Sequence, residues 1–267
     1  MFSNNEHNKM NDYFIIIYIH KNYFIDMTSK TIRNHDKFYL NENRKDAPKE
    51  QFKFLFKKSL EGKNFNDLKI CDIGCATGDF LYYLSNSIKD AEFFGIDIRE
   101  DLLAKAKQEV SDCNFILGDI SDSKTLPKMQ FDIAYMTGVL SIFDDYETVL
   151  ENFLELIKPK GIGYIFGIFN SYDIDALIKI RNSNYQDEWE SGWNLFSKSS
   201  ISKILDGKNI QYSFSDWNID IDIPKHEDDP LRSWTIKDEN KSQLIVNGIQ
   251  LLHTYSLLEI RKDQNLI

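Results

Sequence analysis

Cysteine is scarce: the chain has three in 267 residues, Cys71, Cys75 and Cys113, too few for a disulfide framework. Two of them are spaced C-x-x-x-C, with no second pair and no histidine cluster beside them, which argues against zinc. They read as small buried hydrophobes of a protein kept in a reducing cytoplasm. Histidine is equally thin, and His7, His20, His35, His226 and His253 are scattered without ligand spacing, so no metal is expected. Asp144 and Asp145 read as an exposed helix start in preference to a magnesium site. Only five prolines occur, and no low-complexity linker or internal repeat divides the chain. Positive charge is in deficit as well. A net charge of −10 and a pI near 5.0 argue against a nucleic-acid partner, which needs clustered Lys and Arg against phosphates. Residues 21–63 are the local exception, with eleven Lys or Arg against six Asp or Glu. That segment reads either as a solvated helix face or as the rim of a site for an anionic substrate.

Long apolar runs are missing too. Residues 13–19 are apolar, but a membrane-spanning helix needs roughly 20 such residues, and His20, Lys21 and Asn22 end the run. A signal peptide would want a longer apolar stretch and a small-residue cleavage site. The expectation is a cytoplasmic protein without a membrane partner. Met27 offers an alternative start, in which case residues 1–26 are an over-long beginning.

What is present is core-forming material: 42% hydrophobic and 13% aromatic residues, enough for one domain and a modest appendage. Asp46 and Pro48 followed by Phe52, Leu55, Phe56 and Leu60 predict a capped amphipathic helix with Lys49, Lys53 and Lys57 on its wet side, stopped by Gly62. Strand and helix then alternate: strands at 68–73, 92–97, 114–118, 131–136 and 162–169, helices at 79–88, 100–110 and 146–157. Apolar spacings of three and four (Leu102, Leu103, Ala106, Val110) suit helices that cover a parallel sheet. Residues 170–197 break the rhythm, with a short helical pattern at Ile174, Leu177 and Ile178 and then Trp189, Trp193 and Phe196. They read as a small helical and aromatic cap. A helix at 200–205, a strand at 209–214, a strand pair at 232–237 and 243–247 and a strand at 254–261 complete the chain.

The most specific stretch is Leu68 to Phe80, L-K-I-C-D-I-G-C-A-T-G-D-F, which reads as a strand, a tight turn and a helix, the opening of a nucleotide-binding α/β domain. A G-x-G-x-x-G dinucleotide fingerprint begun at Gly74 fails at Ala76 and at Asp79. Asp79 matters most, because a carboxylate at the first helical position competes with a pyrophosphate for the positive end of the helix.

The D-x-G-x-A-x-G pattern of Asp72, Gly74, Ala76 and Gly78 resembles the first motif of the class I S-adenosylmethionine-dependent methyltransferases. That resemblance covers about residues 50–170 and, more loosely, the C-terminal strands. It implies a doubly wound, mostly parallel, seven-stranded Rossmann-like sheet whose last strand is antiparallel. Asp97 closes the second strand 25 residues after Asp72, where a carboxylate can accept both ribose hydroxyl protons or cap the next helix. Asp119, 22 residues further on, matches the family's acidic residue facing the adenine amino group. The implied cofactor-binding set is Asp72, Gly74, Cys75, Ala76, Gly78, Asp97, Ile98, Asp119, Ile120 and Thr137, for S-adenosylmethionine and its product S-adenosylhomocysteine. Where many relatives carry Glu-His, this chain has Ser141-Ile142, so a familiar general base is missing. His253, Tyr39 and His35 are the candidates for catalytic work, with Asp36 a further possible base.

These readings predict an N-terminal extension over 1–45 and a methyltransferase domain over 46–267, with a substrate cap inserted at 170–197. The expected activity is methyl transfer to a small molecule or glycan precursor, such as a capsular sugar or phosphoramidate precursor, in a monomer or homodimer. A nicotinamide-dependent Rossmann oxidoreductase and a non-catalytic S-adenosylmethionine-binding protein are the alternatives.

Overall fold

The computed structural model describes residues 34–61, 67–183, 188–240 and 242–263; residues 1–26, Met27 and Gly62 lie outside them. After a 3-10 helix at Asn34–Asn41 come α1 (Glu50–Ser59), β1 (Leu68–Ile73), α2 (Asp79–Ser87), β2 (Ala91–Asp97), α3 (Glu100–Glu109) and β3 (Cys113–Leu117). β4 (Phe131–Thr137), α4 (Tyr146–Glu155) and β5 (Ile157–Asn170) continue the alternation. The strands β6 (Lys179–Ile180), β7 (Glu190–Ser191) and β8 (Phe196–Ser197) are short. The chain ends with α5 (Lys198–Gly207), β9 (Gln211–Asp216), β10 (Trp234–Lys237), β11 (Gln243–Val246), β12 (Leu252–His253) and β13 (Tyr255–Arg261).

The main path of the sheet is β3-β2-β1-β4-β5-β13-β9, seven strands, and β8 adds an eighth by pairing with the far end of β5. β1 to β5 run parallel, while β13 lies antiparallel between β5 and β9. The strand order reverses at β1 and β4, so the carboxyl ends of these strands open a crevice between them, where α/β sheets hold their ligands.

Both faces of the sheet are covered, which is why its central strands read as continuous apolar runs. On one face Phe52 and Leu55 of α1 and Phe80, Leu81 and Leu84 of α2 pack on Ile70, Phe93 and Ile133. On the other, Val149, Leu150 and Phe153 of α4 and Ile201 and Leu205 of α5 pack on Ile73, Ile96 and Ile165. Each such fully buried side chain contributes about 1.5–3 kcal/mol relative to exposure. The one hydroxyl at the tip of buried Tyr135 is matched by Ser59 Oγ of α1 at 2.6 Å.

Three local expectations change. The N-cap of α1 is Lys49, which makes no side-chain capping bond, so Asp46 and Pro48 precede the helix without capping it. Lys49 is half-buried and paired instead of lying free on the wet side: its ammonium lies 3.3 Å from Glu42 Oε2. The helical pattern at Ile174, Leu177 and Ile178 forms no helix. The segment instead pairs β6 with β7, and Ile174 and Leu177 are exposed. Asp144 anchors this hairpin through Lys179, Ser191 Oγ (2.9 Å) and Asn194 Nδ2 (3.1 Å), while Asp145 caps α4 through the Thr148 N–H. The segment before α1 also belongs to this body, since Lys105 Nζ donates to the carbonyls of Leu40 (2.7 Å) and Glu42 (3.0 Å).

Candidate active site

The turn after β1 is held in an uncommon shape by its neighbours. Gly74 has φ +75°, and its N–H and that of Cys75 donate to the Ile96 carbonyl of β2 at 2.7 and 3.1 Å. A Cβ on Gly74 would stand 2.3 Å from Val139 Cγ2, so the Val139 side chain of the loop after β4 occupies the place a side chain here would need. Ala76, at φ +47°, is a strained position, fixed by donating its N–H to Asp97 Oδ2 at 2.8 Å. Gly78 is the left-handed N-cap of α2.

Around this turn lies a pocket lined by Asp72, Gly74, Cys75, Ala76, Asp97, Ile98, Asp119, Ile120 and Thr137. Nine of the ten expected cofactor residues therefore converge, and the tenth, Gly78, shapes the turn from outside the lining. Asp36, Lys49, Gln51 and Asp79 also line it, as do Val139, Ile142 and Phe143. Five carboxylates thus surround the pocket against one ammonium.

Their environments differ. Asp72 is buried, Oδ1 has no hydrogen-bond partner among the described residues, and burial, with the nearby Asp97 charge, pushes its carboxyl well above the usual range. Asp97 is raised by burial too, though the Arg99 and Ala76 N–H groups oppose the shift. Its Oδ1 accepts from Arg99 N–H at 2.9 Å, so it serves the turn and the start of α3 together, and each oxygen keeps a lone pair for a ligand. Burial raises Asp79 as well, against the pull of Lys45 at 3.6 Å. Asp119, which lines the pocket, accepts from the Ser121 N–H and hydroxyl through Oδ1 at 2.9 and 2.6 Å, so neither of these bonds uses Oδ2. A buried carboxylate oxygen without a donor costs about 1–3 kcal/mol, and a bound cation removes that cost. The arrangement suits a ligand with positive charge and a diol, and repels a pyrophosphate.

A second, larger cavity of about 580 Å³ adjoins the first, sharing Tyr39, Lys49, Gln51, Thr137 and Gly138. Thr137 Oγ1 is buried at this junction and has no hydrogen-bond partner among the described residues. One wall is aromatic: Phe166, Trp217 and Tyr255 contact one another with ring centroids 5.3, 5.5 and 5.8 Å apart. Ser141, at the position of the missing Glu, lines this cavity, and Ile142 lines the first. Among the described residues of the 170–197 segment only Trp193 reaches the lining, at φ +58°, a left-handed backbone that a bulky residue rarely adopts.

The catalytic candidates separate. Tyr39 lines both cavities, with Lys49 Nζ 5.4 Å from its ring centroid. His253 lines neither; its Nδ1 is 3.2 Å from the hydroxyl of Ser233, which does line the larger cavity. Burial pushes the His253 ring down to about 4, so it is neutral at physiological pH. His35 falls within the 3-10 helix, and its side chain lies outside the described residues. The β-strand carboxylates carry a signal in their common placement at strand ends, whereas Lys49 and Gln51 reach the site by tertiary packing, as does Asp36, which the sequence offers only as a possible base.

A family described as "Methyltransferase domain" matches residues 64–217. Malonyl-[acyl-carrier protein] O-methyltransferase 2 of Ilyobacter polytropus is 24% identical over 144 residues, 52% of this chain and 53% of that protein. Trans-aconitate 2-methyltransferase of Yersinia pestis is 29% identical over 93 residues, 35% of each chain. The chain thus spans about half the length of the first and about a third of the second. The same fold occurs in an S-adenosylmethionine-dependent methyltransferase from Clostridium acetobutylicum, with a TM-score of 0.54, 12% identity, and coverage of 86% of this chain and 96% of that one.

Proposed function

The chain belongs to the methyltransferase-domain family, and from that premise we propose that it moves a methyl group from S-adenosylmethionine to a small molecule held in the larger cavity. The observation that carries the reading is the orphaned, buried Asp72 oxygen in a pocket ringed by carboxylates. Asp72 and Asp79 would face the ammonium of the donor, Asp97 the ribose hydroxyls and Asp119 the adenine amino group. Gly74 and Cys75 lend close backbone, and Ile98 and Ile120 the apolar faces for the base. When bound, the donor supplies an electrophilic methyl on a sulfonium. The protein's part is then to align the acceptor in the adjoining cavity and keep water out.

Residues 46–267 would carry most of this machinery, with Asp36, Tyr39 and Glu42 supplied by the segment before it. Tyr39 and Thr137, shared by both cavities, are placed to orient the reacting groups. His253 would act through Ser233, as a neutral proton acceptor for an alcohol; an acceptor that is already an anion needs no base. Two curated relatives are named for acids, malonyl-carrier and trans-aconitate, which supports an anionic acceptor. The narrower reading of a capsular sugar or phosphoramidate precursor draws support from the aromatic wall, since flat rings pack well on sugar faces. Parallel calorimetric titrations with S-adenosylhomocysteine and NADH test the donor assignment: binding of the first alone is expected, and binding of NADH alone would overturn it.

A further inference from the structure

Glu42 lies just beyond the 3-10 helix Asn34–Asn41, in a segment without regular structure, yet its side chain is only 10% exposed. Three cations meet it, Arg44 and Lys49 from the same stretch of chain and Arg232 from far along the sequence. Arg232 Nη2 donates to Oε1, while Lys49 Nζ and Arg44 Nε stand 3.3 and 3.4 Å from Oε2. Burial alone would raise the Glu42 carboxyl, but Lys49, Arg232 and Arg44 outweigh it and hold the group ionised. Arg232 also lies 3.4 Å from Asp229 Oδ2, so three cations face two carboxylates in this cluster, while Glu50 and Asp222, which line the same cavity, are paired with Lys53 and Lys237. All four residues, Glu42 with its three cations, line the larger cavity. The N-terminus of α1 opens onto the same place: Lys49 provides no side-chain cap, and Pro48, Glu50 and Gln51 line the cavity beside it. An uncapped helix start adds partial positive charge to that end. The same cavity is also lined by the interlocked group of Phe166, Trp217 and Tyr255.

Resting on the assignment of this cavity to the acceptor, we propose that Arg44, Lys49 and Arg232 bind an oxyanion of the acceptor, phosphoryl or carboxylate, whose place the Glu42 carboxylate fills until the acceptor arrives. The acceptor class is therefore an amphipathic molecule, with an oxyanion at the cationic end and a flat or apolar body against the aromatic wall. Forked guanidinium donors suit either oxyanion, and Glu42 offers them the same planar carboxylate geometry. The competing account is a purely structural staple that ties Glu42 to Arg232 across 190 residues of sequence. The two accounts make opposite statements about Glu42. A stand-in anion competes with the ligand; a staple only supports the wall.

The test uses the full chain saturated with S-adenosylhomocysteine and titrated in a calorimeter with inorganic phosphate and, separately, with malonate. At least one probe is expected to bind, and the tighter of the two identifies a phosphoryl or a carboxylate acceptor. Glu42→Gln should tighten that binding about tenfold, equivalent to about 1.4 kcal/mol. Arg232→Gln should weaken it by a similar factor. Absence of binding by both probes overturns the proposal, as does a Glu42→Gln protein that still binds S-adenosylhomocysteine but shows unchanged or weaker anion binding. If Glu42→Gln does not fold, Arg44→Gln, the most exposed of the three cations, must lower anion affinity or the proposal fails. Loss of S-adenosylhomocysteine binding in the unmutated protein counts against the donor assignment instead, and the anion titrations on the unliganded chain still judge the cluster.

Discussion

The carboxylate of Asp97 accepts the backbone N–H of Ala76 at 2.8 Å, bridging the end of β2 to the turn after β1. Ala76 sits at φ +47°, a left-handed conformation that costs a non-glycine residue roughly 1–2 kcal/mol. The same carboxylate lines the proposed donor pocket, so it would both shape the site and serve it.

Replacing Asp97 therefore removes two contributions at once. Asp97→Asn keeps one acceptor oxygen and so one of the two backbone bonds, while Asp97→Ala keeps neither. Calorimetry with S-adenosylhomocysteine should rank affinity as wild type, Asn, then Ala. The Ala variant is expected to lose roughly 3 kcal/mol, from two hydrogen bonds to a charged group at about 1.5–3 kcal/mol each less what water restores. Equal affinity in all three proteins would show that the carboxylate does not face the ligand.

Gly74 and Val139 form a second pair whose contact is testable. Gly74→Ala meets two obstacles, the left-handed φ of +75° and a Cβ 2.3 Å from Val139 Cγ2. Val139→Ala relieves only the contact. The double variant should regain part of the S-adenosylhomocysteine affinity lost in Gly74→Ala and stay about tenfold below wild type, the size of a 1–2 kcal/mol backbone strain. Complete recovery would mean that φ carries no cost at this position.

The strand-end carboxylates Asp72, Asp97 and Asp119 were legible because parallel β-strands have a fixed direction, so that equal chain segments deliver their last residues to one edge of the sheet. The alternation from β1 to β5 was legible for the same reason: a strand buried on both faces and a helix buried on one leave different periodicities. The hairpin at 170–197 was not. Ile174, Leu177 and Ile178 carry helical spacing, but Ile174 and Leu177 are exposed, and the hydrogen bonds that decide the segment come from Asp144 and Ser141 far away in sequence. The pairing of half-buried Lys49 is not legible because periodicity sees only the helix it precedes, whereas its partner Glu42 lies before the helix and Arg232 is contributed by the other end of the chain.

Asp72 should couple donor binding to proton release. Its carboxyl in the folded chain titrates well above the ordinary 3.8, so the folded state takes up a proton before the unfolded one does. The stabilisation this gives is complete below 3.8 and is lost as pH rises through the folded value. An ammonium set against Oδ1 pulls the titration back down and expels the proton. At pH values above the ordinary carboxylate range the apparent binding enthalpy of S-adenosylhomocysteine should thus depend on the ionisation enthalpy of the buffer. Asp72→Asn should remove that dependence, weaken binding and raise the thermal stability of the unliganded protein. A buffer-independent enthalpy in the wild type would contradict the assignment.

His253 works in the opposite direction. Burial lowers it from 6.5 to about 4, so the folded protein resists the protonation that the unfolded chain accepts. Its contribution to stability is complete above 6.5 and disappears as pH falls toward 4, and the difference amounts to about 3 kcal/mol. Urea unfolding measured along a pH series should show wild type losing stability steeply over that interval. His253→Asn, which has no ring to protonate, should lose less across the same interval even if it starts from a lower value, since it also gives up the 3.2 Å contact with Ser233. Parallel acid slopes in the two proteins would mean that the ring is not what acid attacks, and would leave Ser233 without a neutral proton acceptor behind it.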